Sequence, residues 1–136
     1  MSSDRTRSVD SVLLLDPGRF TVDAVAGLDQ FSHVDVVFVF DRFDEALVHL
    51  GARHPRGRSD WPKVGIFAQR ASSRPNRLGV TTCQLVGIDG LEVAVRGLDA
   101  IDGTPVLDVK PHVAEFEPRS DVRQPAWMTE LMSDYW

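Results

Sequence analysis

Short runs of apolar residues alternate with turn-forming residues along this chain, at a spacing typical of β-sheet proteins. Residues 12–15 are apolar and lead into Asp16-Pro17-Gly18, which predicts a buried strand that ends in a turn. Residues 33–40 form the clearest strand. Their nearly continuous β-branched and aromatic side chains predict burial on both faces.

The spacing after the first strand is helical instead. Thr21 is placed to cap a short helix over residues 22–28. The side chains expected to face inward from it are Ala24, Val25 and Leu28.

A second helix is predicted at the other end of the chain. Residues 124–136 place Pro125 near the first helical turn. One face of this helix carries Trp127, Leu131 and Tyr135. An amphipathic helix of this kind covers an apolar surface, and we expect it to cover its own domain rather than a partner.

Most of the remaining chain predicts strands. Residues 63–68 are predicted to form a short strand. Residues 78–88 and 91–96 are predicted to pair as a hairpin across an Asp89-Gly90 turn. Alternate residues of 91–96 lie on one buried face of this hairpin. Residues 104–109 form another strand, which Pro111 stops. Residues 41–50 fit a strand or a helical turn equally well, and residues 51–62 predict a long surface loop. These features predict a mainly β fold, a single-domain antiparallel β-barrel or strongly curved sheet with a short helix after the first strand and a C-terminal helix.

The composition is that of one globular domain. Of the 136 residues, 43% are hydrophobic and 26% are charged, which disfavours wholesale disorder. No apolar run approaches the roughly 20 residues that cross a bilayer, so no membrane partner is expected. A single cysteine, Cys83, excludes an intrachain disulfide and favours a reducing cytoplasm. We expect Cys83 to be a core residue rather than a nucleophile.

Charge is distributed unevenly. The net charge is −5, yet residues 53–77 hold seven basic side chains and one acidic one, a local charge of +6 that leaves −11 on the remainder. A basic segment on an acidic body suits a local site for a phosphate, a carboxylate or a short piece of nucleic acid. The alternative is a solvated basic loop, above all over residues 53–58.

A dense polar motif lies within this basic segment, in Gln69-Arg-Ala-Ser-Ser-Arg-Pro-Asn-Arg-Leu-Gly79. A proline after Arg74 stiffens the loop, and a guanidinium offers a planar fork of donors to a carboxylate or phosphate. Asn76 can both donate and accept, as recognition of an adenine edge or an amide requires. The alternative is a structural connection whose arginines pair with acidic residues.

A second polar motif runs from Leu98 to Pro111 and contains Asp99, Asp102 and Asp108 together with Thr104 and Lys110. A carboxylate here could bind ribose hydroxyls, orient a nucleophile, or only form an ion pair with Lys110 or Arg96. His33 and His112 could each line a pocket or serve a structural role.

Common catalytic motifs are missing from the sequence. It has no GxGxxG, P-loop, HExxH, CxxC or GxSxG pattern, and its four histidines lack metal-ligand spacing. The usual dinucleotide, nucleoside-triphosphate, zinc and hydrolase classes therefore lose support, and no metal is expected.

Taken together, these motifs resemble the TsaA-like (TrmO, YaeB) family. The resemblance covers residues 13–113. It is carried by Phe31-Ser-His33, Gly65-Ile-Phe-Ala68, Arg70, Arg74-Pro-Asn76, Gly79 and the run from Gly97 to Pro111. Gln69 and Arg77 stand where family members often carry Thr and a second Pro.

The resemblance implies a fold, an activity and partners. It implies an S-adenosylmethionine-dependent methyltransferase, built on a β-barrel, that acts on the base nitrogen N6 of threonylcarbamoyl-adenosine beside the anticodon of tRNA. It also implies a cytoplasmic homodimer with the cofactor near the subunit interface. The alternatives are an S-adenosylmethionine-dependent enzyme for a small-molecule acceptor and a non-catalytic nucleotide- or tRNA-binding module.

The resemblance also implies a set of site residues. The expected catalytic residues are Asn76, Asp99 and Asp102. The expected cofactor-binding residues are Phe67, Gln69, Arg70, Arg74, Leu78, Gly79, Thr104, Pro105, Leu107, Asp108 and Lys110. Family domains usually open with a further strand and loop, so residues 1–11 are expected to be a disordered or truncated segment, ahead of a barrel domain at 12–117 and a helical tail at 118–136.

Overall fold

The structure is a computed structural model that describes residues 10–41, 47–100 and 102–133. Seven strands lie in this described part: β1 (Asp10–Leu14), β2 (His33–Val39), β3 (Ala52–Arg53), β4 (Val64–Gly65), β5 (Leu78–Asp89), β6 (Glu92–Arg96) and β7 (Val106–Pro111). Five of them form one sheet in the order β1-β6-β5-β2-β7, and β3 pairs with β4. The predicted mainly β class is confirmed.

Strand pairing in the five-stranded sheet is antiparallel where β6 meets its two neighbours. Val12 of β1 faces Ala94, and Asp89 of β5 faces Glu92, with a register shift between Leu85 and Gly87. The predicted closed barrel is not found, because within the described residues the order ends at β1 and β7 and these two strands do not pair with each other.

The turn between β5 and β6 is displaced by one residue from its predicted position. Asp89 is still paired with Glu92, so the two turn residues are Gly90 and Leu91 rather than Asp89 and Gly90. Gly90 has a φ of 61°, and glycine at the first turn position adopts this left-handed conformation without a steric penalty.

The predicted helix over residues 22–28 is wrong in type and length. Two 3-10 helices, Val22–Val25 and Leu28–Gln30, stand there, and neither has a buried residue. Gly27, with a φ of 85°, interrupts the helical conformation between them, and Thr21 forms no capping hydrogen bond with its side chain. Ala24 is exposed instead of facing inward.

The predicted C-terminal helix is confirmed, although it is shorter. It forms α1 (Ala126–Met132), with Pro125 directly before it. Trp127 and Leu131 are half-buried, and Tyr135 falls outside the described residues.

The last strand also differs from its predicted bounds, since β7 begins at Val106 and includes Pro111. Proline lacks an N–H donor and is tolerated in strands at the edge of a sheet, where β7 lies. The N-terminal prediction shifts similarly, because β1 already begins at Asp10.

Residues 51–62 are less like a surface loop than predicted. They contain β3 and the 3-10 helix Pro55–Gly57, and both Pro55 and Trp61 are buried. Arg58 lies over the Trp61 ring, 4.0 Å from its centroid, and also pairs with Asp60. The ambiguous segment at 41–50 lies in part outside the described residues.

The chain divides into two compact units. Unit 1 comprises Met1–Val36, Thr81–Asp99 and Asp108–Trp136, and unit 2 comprises Val37–Val80 and Ala100–Leu107. The buried apolar residues of unit 1 are Leu13, Val34, Val36, Cys83, Val93 and Val95. Those of unit 2 are Phe38, Trp61 and Ile66.

Two structural features are absent from the described residues. No helix there is long and apolar enough to cross a bilayer. No group of three or more His, Cys, Asp or Glu side chains there is arranged to hold a metal ion.

Candidate functional site

The first polar motif begins with a side chain that is buried. Only 6% of Gln69 is exposed. Its Nε2 donates hydrogen bonds to the carbonyl oxygens of Arg53, at 3.2 Å, and Val64, at 3.0 Å. Both amide hydrogens are therefore committed to the strands β3 and β4, and not to a ligand.

The two arginines of the motif have different surroundings. Arg74 is half-buried, and its Nη1 donates to the carbonyl oxygens of Ile66, at 3.4 Å, and Gln69. Arg70 is exposed and makes one long contact, from Nη2 to the carbonyl oxygen of Val80 at 3.4 Å. The guanidinium of Arg70 is thus the freer of the two for a ligand.

The end of the loop is a tight turn. The amide of Arg77 donates to the carbonyl oxygen of Arg74 at 3.1 Å, and Asn76 Oδ1 accepts from the amide of Leu78 at 3.0 Å. Arg77 has a φ of 53°, which is uncommon outside glycine. Asn76 therefore has a structural role through its oxygen, in addition to any role in recognition.

Gly79 has a packing reason to be glycine. A Cβ atom there would lie 2.6 Å from the Phe38 ring and 2.9 Å from Phe40. Real side chains do not approach so closely. The sequence prediction assigned Gly79 to cofactor binding, and the structure supplies this second explanation.

The two motifs meet at the end of β2. The amide of Val39 donates to the carbonyl oxygen of Pro105 at 3.1 Å, and the amide of Phe40 donates to that of Arg77 at 2.8 Å. Val39, the last residue of β2, and Phe40, which follows it, thus fix the second motif and the first motif, all within unit 2. Most predicted site residues belong to this unit: Phe67, Gln69, Arg70, Arg74, Asn76, Leu78, Gly79, Asp102, Thr104, Pro105 and Leu107.

The second motif makes its turn as predicted. Asp102 and Gly103 form a turn in which Gly103 has a φ of 85°. The side chains of Asp102 and Leu107 are exposed, whereas that of Thr104 is half-buried.

The remaining three predicted residues belong to unit 1. Asp108 and Lys110 form an exposed ion pair with a 2.7 Å separation between Oδ2 and Nζ. This pair lowers the pKa of Asp108 and raises that of Lys110, mainly through its hydrogen bond. The ion-pair alternative for Asp108 is therefore the arrangement observed. Asp99 differs, because desolvation by the surrounding protein raises the pKa of its carboxyl even though the residue retains exposed surface.

A further cluster in unit 1 surrounds His112. Its Nδ1 lies 3.1 Å from Asp35 Oδ1, and its Nε2 lies 3.0 Å from Glu117 Oε2. Thr82 Oγ1 donates to Asp35 Oδ1 at 2.7 Å, and the His33 ring packs edge-on at 6.5 Å between centroids. Sequence reasoning considered both histidines but missed the carboxylates, although a charged residue such as Asp35 inside an apolar strand was a signal.

Sequence reasoning also missed two buried atoms in unit 2. Within the described residues, Ser73 Oγ and Arg53 Nε are buried and have no hydrogen-bond partner. The backbone of Ser73 is anchored, since its carbonyl oxygen accepts from His49 at 2.7 Å. Unpartnered buried polar atoms are uncommon, but nothing in the sequence distinguishes these two.

Comparison with known proteins identifies the family to which these motifs belong. The model of the tRNA-methyltransferase O N-terminal domain matches residues 2–118. The tRNA (adenine(37)-N6)-methyltransferase of Homo sapiens is 37% identical over 102 residues, which are 75% of this chain and 23% of that protein. A Pyrococcus abyssi protein named "Probable S-adenosyl-L-methionine-binding protein" is 37% identical over 103 residues, 74% of this chain and 52% of that protein.

Solved structures agree with the family match. The crystal structure of TrmO from Pseudomonas aeruginosa has a TM-score of 0.65 and 33% sequence identity, and covers 84% of this chain and 46% of that one. The chain spans about half or less of the length of these relatives. By its motifs, its fold and the matched family model, the chain belongs to the tRNA-methyltransferase O family.

Proposed function

We propose that this chain is an S-adenosylmethionine-dependent methyltransferase that acts on N6 of threonylcarbamoyl-adenosine beside the anticodon of tRNA. The observation that carries the proposal is the meeting of the two polar motifs at Val39 and Phe40. The name of the human relative supports N6 of an adenine in tRNA as the acceptor, and the name of the Pyrococcus relative supports the cofactor.

The residues of unit 2 fit S-adenosylmethionine chemically. The cofactor combines an aromatic adenine, ribose hydroxyls and a carboxylate. Phe67 is an exposed aromatic ring, Arg70 is an exposed guanidinium, and Asp102 is an exposed carboxylate. Aromatic stacking, bidentate pairing with a carboxylate and hydrogen bonding to hydroxyls are the contacts that these three side chains offer.

When bound, S-adenosylmethionine supplies a methyl group already activated by its sulfonium. The protein therefore mainly has to hold the acceptor nitrogen in line and keep water away. We assign five residues to the walls of the pocket that holds the acceptor and excludes water: Phe67, Leu78, Thr104, Pro105 and Leu107. Arg70 grips a carboxylate, either that of the cofactor or that of the threonyl group on the acceptor.

A carboxylate completes the proposal by receiving the proton that the acceptor nitrogen loses. Asp102, which belongs to unit 2 with the other residues of the proposed site, has this role. We retain Asn76 as a recognition residue through its Nδ2, since its oxygen is engaged by Leu78.

The decisive experiment combines calorimetric titration with S-adenosylmethionine and methyl transfer to tRNA that carries threonylcarbamoyl-adenosine. We expect binding and transfer by the wild type, and turnover at least about tenfold lower for Asp102→Ala. Asp121→Ala is a matched control, because Asp121 is exposed and belongs to unit 1. Unchanged turnover in Asp102→Ala would reject the site assignment.

The same assay separates the alternative functions. Salt-sensitive tRNA binding without methyl transfer would identify a non-catalytic tRNA-binding module. Transfer to metabolites and not to tRNA would identify a small-molecule methyltransferase. Absence of cofactor binding would remove the methyltransferase altogether.

We also propose that the protein acts as a cytoplasmic homodimer. One sheet face of unit 1 exposes Val12, Leu14 and Val86, and beside Val12 and Ala94 lies a shallow groove. Exposed apolar patches of this kind commonly mark protein interfaces, and a second copy is the occupant that we propose. Sedimentation analysis of Leu14→Glu against the wild type tests this, with a shift to monomer expected and an unchanged dimer as the contrary result.

A further inference from the structure

The turn formed by residues Ile66–Ala68 presents the Phe67 ring to solvent, although Ile66 at its start and Gln69 directly after it are buried. Only 3% of Ile66 and 6% of Gln69 are exposed, whereas 79% of Phe67 is exposed. The direction of this side chain is set by the backbone of the turn, so contacts that hold the backbone also hold the ring at the surface. The contacts around the turn show what holds the backbone.

Arg74 ties the two ends of this turn together. Its Nη1 donates to the carbonyl oxygen of Ile66, which opens the turn, and to that of Gln69, which follows it. Two carbonyl oxygens three residues apart are thus held by one guanidinium.

A second set of bonds ties the turn to the small sheet. The amide of Ile66 donates to the carbonyl oxygen of Gly51 at 2.9 Å. The side chain of Gln69 donates to the carbonyl oxygens of Arg53 and Val64, which face each other across β3 and β4. The turn therefore has fixed anchors at both ends, and all of them lie in unit 2.

We infer that Arg74 and Gln69 are positioning residues, which hold Phe67 and Arg70 outward as one surface for the adenine and carboxylate parts of a ligand. This inference rests on the proposed function, and it revises the sequence-based assignment of Arg74 and Gln69 as direct ligand contacts. The distinction matters because a direct contact recognises one chemical group, whereas a positioning residue affects every group that the surface binds.

Two probes separate positioning from direct contact. S-adenosylmethionine has a carboxylate, and 5′-methylthioadenosine keeps the adenine and ribose but lacks the carboxylate. If Arg74 positions Phe67, Arg74→Ala weakens binding of both probes by a similar factor, about tenfold. If Arg74 grips the carboxylate, only S-adenosylmethionine binds more weakly, and the inference is overturned.

A double-mutant cycle provides the second arm. In the Phe67→Ala background, Arg74→Ala should add little further loss of 5′-methylthioadenosine affinity, because the ring that Arg74 positions is already gone. Fully additive losses would contradict the inference. Lys63→Ala is the control for removal of one positive charge, since Lys63 is exposed in the same unit.

Amide hydrogen exchange tests, without any ligand, whether Arg74 holds the turn in place. We expect Arg74→Ala to accelerate exchange at the amides of Ile66 and Gln69, while the amide of Leu85, bonded to Ser32 in unit 1, keeps its wild-type rate. Unchanged exchange at both turn amides would overturn the inference even if the proposed function held. If the wild-type protein binds neither probe, the proposed function is rejected. The exchange rates then still test whether Arg74 holds the turn.

If Arg74→Ala does not fold, Arg74→Lys keeps the charge but cannot offer the guanidinium fork. If Arg74 holds the turn, this variant should show accelerated amide exchange and should bind both probes more weakly by a similar factor. A carboxylate grip predicts weaker binding of S-adenosylmethionine, because lysine lacks the bidentate fork, and unchanged binding of 5′-methylthioadenosine.

Discussion

His112 and Asp35 lie 77 positions apart in the chain, and their side chains meet with a separation of 3.1 Å between Nδ1 and Oδ1. The other ring nitrogen of His112 lies 3.0 Å from Glu117 Oε2. A neutral imidazole has one N–H donor, whereas both of these nitrogens face carboxylate oxygens. The arrangement is therefore complete only for the protonated ring, and the pKa of His112 is raised, chiefly by its hydrogen bond to Glu117.

This arrangement predicts that stability depends on the protonation of His112. Because its pKa is raised above 6.5 in the folded state, the stabilising contribution is fully present below pH 6.5 and is lost as the pH rises through the folded-state value. We expect the free energy of unfolding in urea to fall over this interval. In His112→Gln this fall should be smaller.

The groups around His112 define the control for that measurement. Asp35 and Glu117 face its nitrogens, and His33 packs against its ring. His49, by contrast, accepts a hydrogen bond from the amide of Gly51 and has no ion pair with a carboxylate within the described residues. His49→Gln should keep the wild-type pH dependence. A His112→Gln profile that matches the wild type would show that His112 does not contribute.

Gly79→Ala should destabilise the protein. Its new methyl group would lie 2.6 Å from the Phe38 ring, and overpacking of this kind costs about 1–3 kcal/mol. Gly65→Ala is a suitable control, because nothing lies within 4 Å of a Cβ at that position. Urea denaturation measures both variants, and equal midpoints would contradict the packing explanation for Gly79.

Cys83 should be unreactive in the native protein. It is fully buried in unit 1, and desolvation raises the pKa of its thiol to about 11. Because the thiolate is the nucleophile, we expect negligible alkylation by iodoacetamide at pH 8 and complete alkylation after unfolding in urea. Rapid modification of the folded protein would show that Cys83 is accessible.

Asn76 offers a test of recognition against local structure. Asn76→Asp keeps an oxygen that can accept from the amide of Leu78 but loses the Nδ2 donor. We expect it to retain wild-type stability and to bind S-adenosylmethionine or tRNA at least about tenfold more weakly. Affinity equal to that of the wild type would limit Asn76 to its role in the turn.

Local elements could be predicted wherever the relevant forces act between neighbouring residues. The strand at 33–39 was predictable from its β-branched run, the strand at 92–96 from its alternation, and the Asp102-Gly103 turn from its residue types. Errors arose where one residue changed the geometry. Gly27 divided the predicted helix, and Gly90 displaced the hairpin turn by one position.

The sequence by itself determined the mainly β class, the two polar motifs and the resemblance to the family, because periodicity and motif spacing are properties of the chain. Only the tertiary structure decided which backbone groups the polar side chains of these motifs bond to. Gln69 looks like a ligand contact in the sequence, yet its side chain bonds to the carbonyl oxygens of Arg53 in β3 and Val64 in β4. The pairing of β3 with β4 brings these two carbonyl oxygens together, and His112 likewise acquires Asp35 from a distant strand, so no local pattern can specify these contacts.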